Sequence, residues 1–399
     1  MARIITAGVV TAALFTLGLP AGSAVAAATT CFGVTATITG SGTITGTPGN
    51  DVIVGSSAAD TINGLGGNDL ICGLSGDDKL IGGLGNDRLD GAGGDDVMRG
   101  DTALDTGNAV GGGDDELRGG EGDDDMVGDS FTASGNAEGG GDDLLDGGSG
   151  DDFMTGDSES DDAGTARGGG DDRMFGGSGD DEHMTGDSVA LGGDAEGGGD
   201  DLLDGGTGND GLLGDSAAPF GGTGTGAGDD VLRAGLGTFD SIVGDSEGIA
   251  GAVGSGGDDL LDMGTDGGFF ALGDHNIGDP AGGQARGAGN DTIIGGARGE
   301  ILIGDSSVGD ASVTRAGNDQ IDGGGGNDLL FGDNTNYDGD STAGTAGGRD
   351  TIRGQAGKDL IFAGPADDFL DGGANADTCD GEAGTADTAV NCETTSDIP

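Results

Sequence analysis

From Gly46 the chain falls into consecutive nines: GTPGNDVIV, GSSAADTIN, GLGGNDLIC, GLSGDDKLI, GGLGNDRLD and GAGGDDVMR. The frame is Gly-Gly-x-Gly-x-Asp-x-U-x, with U a large aliphatic residue. This period constrains the fold more than any other feature, because self-similarity at short spacing means one structural unit stacked many times. The sixth position is Asp51, Asp60, Asp69, Asp78, Asp87 and Asp96, and the eighth is Ile53, Ile62, Ile71, Leu80, Leu89 and Met98. Each nonapeptide reads as a six-residue glycine turn followed by a three-residue strand whose single aliphatic side chain faces inward. Two nonapeptides make one coil, and strands of successive coils pair in parallel about 4.8 Å apart. The predicted fold class is all-β: a parallel β-solenoid around a thin core of Ile, Leu and Met.

From Gly82 the period lengthens. Every second nonapeptide is followed by an insert that begins Gly-Asp, usually Gly-Asp-Ser, at Gly100, Gly128, Gly156, Gly186, Gly214, Gly244, Gly273, Gly304 and Gly332. Nine long units therefore span residues 82–344, with plain coils at 46–81 and 345–380, giving about 13 coils in all. The inserts occur once per coil, so all of them emerge from one edge. Their residues vary, as in Phe131-Thr132-Ala133-Ser134 against Ala217-Ala218-Pro219-Phe220, and long loops are expected there. For the aspartates that open them, such as Asp129 and Asp157, an Asx-turn is the expected role. An extra metal ligand, or an acceptor that closes the loop, is the alternative.

Composition excludes several functions. With 99 glycines in 399 residues, no Trp and a formal net charge of −60, the chain cannot build a conventional core. Large apolar groups are too few to offset the ordering entropy of about 1–2 kcal/mol per residue, so the chain is expected to be loose by itself. Nucleic acid and anionic lipid would be repelled and cations attracted. Residues 1–26 read as a secretory signal peptide: Arg3, an apolar run from Ile4 to Leu19, then Ala24-Val25-Ala26. The run is too short for a retained span, so secretion without membrane insertion is expected. Four cysteines allow three connectivities. Pairing within each end, Cys31–Cys72 and Cys379–Cys392, is the simplest in an oxidising exterior and would clip the end segments 27–45 and 381–399. The only histidines are His183, expected at a bulge, and His275, expected in a loop. A Gly-Asp-Ser repeated many times without a partner histidine is not catalytic machinery, and no enzyme activity is expected.

More than two dozen in-frame matches across roughly residues 46–380 closely resemble the repeats of RTX (haemolysin-type) calcium-binding proteins. The resemblance implies a parallel β-roll with Ca²⁺ between turns, each sixth-position Asp and the turn carbonyls sharing an ion with the next coil. Carried onto this chain, the long-insert edge holds Asp51, Asp69, Asp87, Asp115, Asp143, Asp172, Asp201, Asp230, Asp259, Asp291, Asp319, Asp350 and Asp368. The short-turn edge holds Asp60, Asp78, Asp96, Asp124, Asp152, Asp181, Asp210, Asp328, Asp359 and Asp377. Between Asp240 and Glu300 the short-turn repeats are irregular, and missing or weak ions are expected there. An oxygen-only donor set suits a hard cation such as Ca²⁺. With a signal peptide and cysteines, the chain resembles the secreted bacterial members of the family and not its toxins, and its tail resembles their disulfide-closed end. The implied function is an extracellular rod that folds on multiple Ca²⁺ ions and meets a surface, a matrix or a protein partner. A calcium-dependent accessory module, or a buffer for a separately encoded secreted enzyme, is the alternative.

Overall fold

The computed structural model describes residues 29–277, 285–308, 315–336 and 338–399. The expected signal peptide, 1–26, lies outside them. No helix occurs among the described residues. Two parallel sheets of 15 strands face each other. One begins at Ile38–Thr39, takes the strand after each aspartate of the long-insert edge, such as Val52–Val54 and Leu144–Ser149, and ends at Thr388–Val390. The other begins at Thr43–Thr45, takes the strand after each short-turn aspartate, such as Thr61–Gly66 and Phe153–Thr155, and ends at Thr394–Ser396.

Register follows the repeat. Ile53 pairs with Ile71, Leu117 with Leu145, and Met126 with Met154, so the eighth positions stack in two files. These files form one continuous core in which Leu89, Met98, Leu117, Met126, Leu145 and Met154 are all fully buried. Glycine is required where coils approach. A Cβ on Gly67, whose φ is +110°, would lie 2.6 Å from the Asn50 backbone nitrogen one coil away.

Two features depart from the expected outline. The roll has 15 ranks and not 13, because both end segments continue it: 29–45 adds Ile38–Thr39 and Thr43–Thr45, and 381–399 adds Thr388–Val390 and Thr394–Ser396. Both end-local disulfides are formed, Cys31–Cys72 and Cys379–Cys392, and Cys379 occupies the inward file. The inserts, in turn, are not independent loops. Among the described residues, seven of them each contribute two short strands, building two further parallel ladders of seven strands. One runs from Ala103–Leu104 to Asn276–Ile277 and the other from Ala109–Val110 to Ala285–Arg286. Their similar length brings backbone groups into register from coil to coil, so the ladder forms without large side chains. Its interior is filled by alanines, among them Ala166, Ala190, Ala195 and Ala218. The molecule is thus a main roll carrying a second, thinner stack along one edge.

Candidate metal centres

Each turn ends on an aspartate whose backbone N–H is left without a partner in its own coil. The next coil supplies one: Asp69 N–H donates to Asp87 Oδ1 at 2.7 Å, and Asp115 N–H to Asp143 Oδ1 at 2.7 Å. On the short-turn edge Asp78 N–H donates to Asp96 Oδ1, and Asp124 N–H to Asp152 Oδ1, both at 2.8 Å. This fixes each carboxylate after Asp51 pointing along the stack and uses one oxygen. The second, Oδ2, is buried without a partner at 21 of the 23 positions expected from sequence, all except Asp51 and Asp60. At those two the turn closes on itself: Thr47 N–H donates to Asp51 Oδ2 and Ser56 N–H to Asp60 Oδ2, both at 2.6 Å. The first turn glycine borders the same space. A Cβ on Gly82 would overlap both Asp87 Oδ2 and the Gly100 carbonyl oxygen of the next coil. Carboxylate and carbonyl oxygens therefore converge on one spot per turn, a hard oxygen donor set.

The files run further than expected. Asp368 N–H donates to Asp387 Oδ1 and Asp377 N–H to Glu393 Oε2, adding one acid to each edge from the C-terminal rank. In the irregular stretch the defect is narrower than the sequence implies. Asp240, in a turn one residue too long, is still buried and accepts the Asp210 N–H at 3.0 Å. Glu300 accepts the N–H groups of Gly268 and Gly296 and passes the ladder to Asp328. Only the intervening coil lacks an acid in line: Asp266 makes a single 3.5 Å contact, with the Thr265 hydroxyl. There the first turn glycine is replaced by Met263, which is fully buried in the core and rests against Gly268. A thioether fills the place where other coils hold a carboxylate.

The aspartates that open the inserts are the residues sequence reasoning undervalued. Asp101, Asp129, Asp157, Asp187, Asp215, Asp245, Asp274 and Asp305 have no exposed surface. They are not Asx-turns. Asp129 Oδ1 accepts the N–H of Gly113 at 3.1 Å, 16 residues earlier, tying the preceding coil's insert back to the roll, and Asp305 Oδ1 accepts that of Gly317 at 2.8 Å, closing its own. The adjoining serine braces the same junction, Ser130 Oγ donating to the Gly111 carbonyl at 3.2 Å. Oδ2 of Asp129 and Asp157 remains unpartnered, as do both oxygens of Asp101, Asp187 and Asp215. These aspartates meet the sixth-position file of the long-insert edge, forming the triads Asp101–Asp115–Asp129, Asp129–Asp143–Asp157 and Asp157–Asp172–Asp187. Within each triad the ligand oxygens lie within 4.8 Å of one another.

Electrostatics separates the edges. Burial, opposed by the backbone N–H bond and aided by neighbouring carboxylates, raises Asp78 to about 6 and Asp124 to about 7 on the short-turn edge. On the long-insert edge burial is deeper and more charges converge, so Asp87 is pushed up to about 8 and Asp115 to about 9. Burial raises Asp143 well above the ordinary carboxylate range, with the charges of Asp129, Asp172 and Asp115 adding to it. Uncompensated carboxylates are costly in such a setting, and a divalent cation removes the cost. His275, standing where six of the other inserts carry Ser, is fully buried and not in an open loop. Burial lowers it to about 3, and its neutral Nδ1 accepts the Ser246 N–H at 3.2 Å. His183 lies on the outer face of its strand beside an extra residue, stacked on Phe153.

No curated protein matches the chain. The family model for the RTX calcium-binding nonapeptide repeat, in four copies, matches residues 38–71, 45–80, 73–106, 109–132, 139–163, 168–182, 287–297, 310–336 and 345–379. These segments together cover just over half of the chain. With in-line aspartates, orphaned oxygens and stacked parallel strands all following that repeat, the chain belongs to the RTX calcium-binding nonapeptide-repeat family.

Proposed function

We propose that this protein is a secreted rod that folds when Ca²⁺ threads its edges and that serves outside the cell as a structural, adhesive or interaction element. The observation that carries the reading is the double file of buried Oδ2 atoms without partners. An uncompensated buried carboxylate opposes folding, whereas a shared ion turns the same contact into a cross-link between coils. Coils touch only their neighbours, so the gain accumulates along the stack and folding is cooperative in calcium. The two disulfides support an oxidising destination. The apolar side chains left at the surface support a partner: Phe220, at an insert tip, is 74% exposed and Phe239 71%. Near Phe220 a cavity of about 530 Å³ is walled by Phe153, Met184, Leu212 and Val243 and rimmed by Glu182 and Glu247. No catalytic role is assigned to the Gly-Asp-Ser segments, whose buried Ser130 and Ser158 donate to backbone carbonyls. The test is circular dichroism and gel filtration of residues 27–399 in EDTA and in millimolar calcium. A loose, extended chain that becomes compact and β-rich with calcium is expected; identical behaviour in both overturns the reading.

A further inference from the structure

We propose that the long-insert edge is a second class of cation site, in which the Gly-Asp aspartates bridge successive divalent ions into a continuous file that fastens the insert stack to the main roll. The inference rests on the calcium reading above and goes beyond the repeat motif, which contains no insert aspartate.

Three independent observations carry it. The first is sharing: Asp129 belongs to the first and second of the three triads and Asp157 to the second and third, so one carboxylate faces two sites. The second is orphaning: Oδ2 of Asp129 and Asp157 is fully buried and unpartnered, within ligand distance of Asp143 and Asp172, whose Oδ2 atoms are also unpartnered. The third is the charge count. Each long coil brings one sixth-position Asp and one Gly-Asp aspartate to this edge, two negative charges that one divalent ion neutralises. The short-turn edge brings a single in-line Asp per coil, so an ion there keeps an excess positive charge unless solvent-facing acids compensate it. Full neutrality per coil predicts higher affinity on the long-insert edge, and bridging predicts that neighbouring ions fill together.

Position in the fold sets the consequence. Asp129 and Asp157 stand where the chain leaves the main roll, and the Oδ1 of each is already occupied by the N–H of Gly113 or Gly141, where the preceding coil's insert returns to the roll. An ion on Oδ2 would therefore lock the insert stack and the roll to one another. The long-insert file also has no break among the described residues, whereas the short-turn file is interrupted at Met263.

The experiment is calcium titration calorimetry with bound metal counted by mass spectrometry. It compares the wild-type chain, Asp129→Asn/Asp157→Asn, and the short-turn control Asp124→Asn/Asp152→Asn. Asn keeps an oxygen for the closing N–H bond but removes the bridging charge. The expected wild-type result is two classes of site. The insert variant should lose up to three ions from the tighter class, with at least tenfold weaker binding around them, and the control should lose ions from the weaker class only. A single class in the wild type, or an insert variant that keeps all its tight ions, overturns the inference and leaves the calcium reading intact. No bound calcium in any of the three overturns the calcium reading itself. Anomalous diffraction from lanthanide-soaked wild-type crystals needs no variant. Peaks inside the triads, one per coil, support the file; peaks at sixth-position sites without contact to Gly-Asp aspartates refute it.

Discussion

Without calcium, this protein should come apart as the pH rises and re-form as it falls. Burial holds Asp87 near 8 and Asp115 near 9 in the folded chain, against an ordinary value of 3.8 that the unfolded chain regains. Between about pH 4 and 9 the folded state keeps protons that the unfolded state has released, so stability is present below the unfolded value and is lost as the pH rises. Each such group contributes a loss of a little over 1 kcal/mol per pH unit through the window, so these two alone lose roughly 8 kcal/mol between pH 5 and 8. An ordinary domain has about 5–15 kcal/mol in total. Asp143, Asp172 and Asp230, raised in the same direction by burial, add to the loss. The assay is far-ultraviolet circular dichroism in EDTA from pH 5 to 9, repeated with excess calcium. A β signal that falls with pH in EDTA and stays flat in calcium is expected. A calcium-free signal that is constant, or that grows toward pH 9, would refute the electrostatic account.

In the calcium-loaded protein Leu145→Ala, at a fully buried eighth position, should cost about 3–4 kcal/mol. Hydrogen exchange should place that loss in the flanking coils, with the far ends of the stack unchanged. Gly82→Ala would drive a methyl group into Asp87 and the Gly100 carbonyl; we expect local unfolding with loss of the ion at Asp87, read by proton–nitrogen correlation spectra, whereas Gly49→Ala, with nothing within 4 Å, should be silent. Replacing Cys379 and Cys392 by Ser opens a loop of 13 residues worth about 3 kcal/mol in chain entropy. Thr388–Val390 and Thr394–Ser396 should then exchange first, with the calcium count of the central coils unchanged.

The main roll was legible because its signal is local and repeated. An aliphatic residue every nine, as at Ile53, Ile62 and Ile71, and an aspartate two positions earlier specify strand, turn and register without knowledge of the rest. Both disulfide pairings were readable for the same reason, being close in sequence. The insert stack was not, because its strands are two or three residues long and filled by alanine, which carries little hydrophobic signal. A faint one existed: Ala109, Ala137, Ala166 and Ala195 each stand six residues before the sixth-position Asp. The burial of the Gly-Asp aspartates depends on contacts such as Asp129 with Gly113, made only once the preceding coil's insert returns to the roll. An Asx-turn is the role that sequence alone predicts for those acids. In the irregular stretch, the compensation of a lost acid by Met263 needed coordinates, since the sequence shows the two changes separately and not that they occupy the same space.

That methionine has a mechanical corollary. Along one side of the rod, ion contacts can run from end to end, while the opposite side carries a greasy joint between Asp240 and Glu300 that no cation can rivet. Stiffness is therefore unequal around the circumference, and a pull or a bend would open the molecule at this joint before anywhere else, splitting it into two half-rods hinged on the metal-laden side.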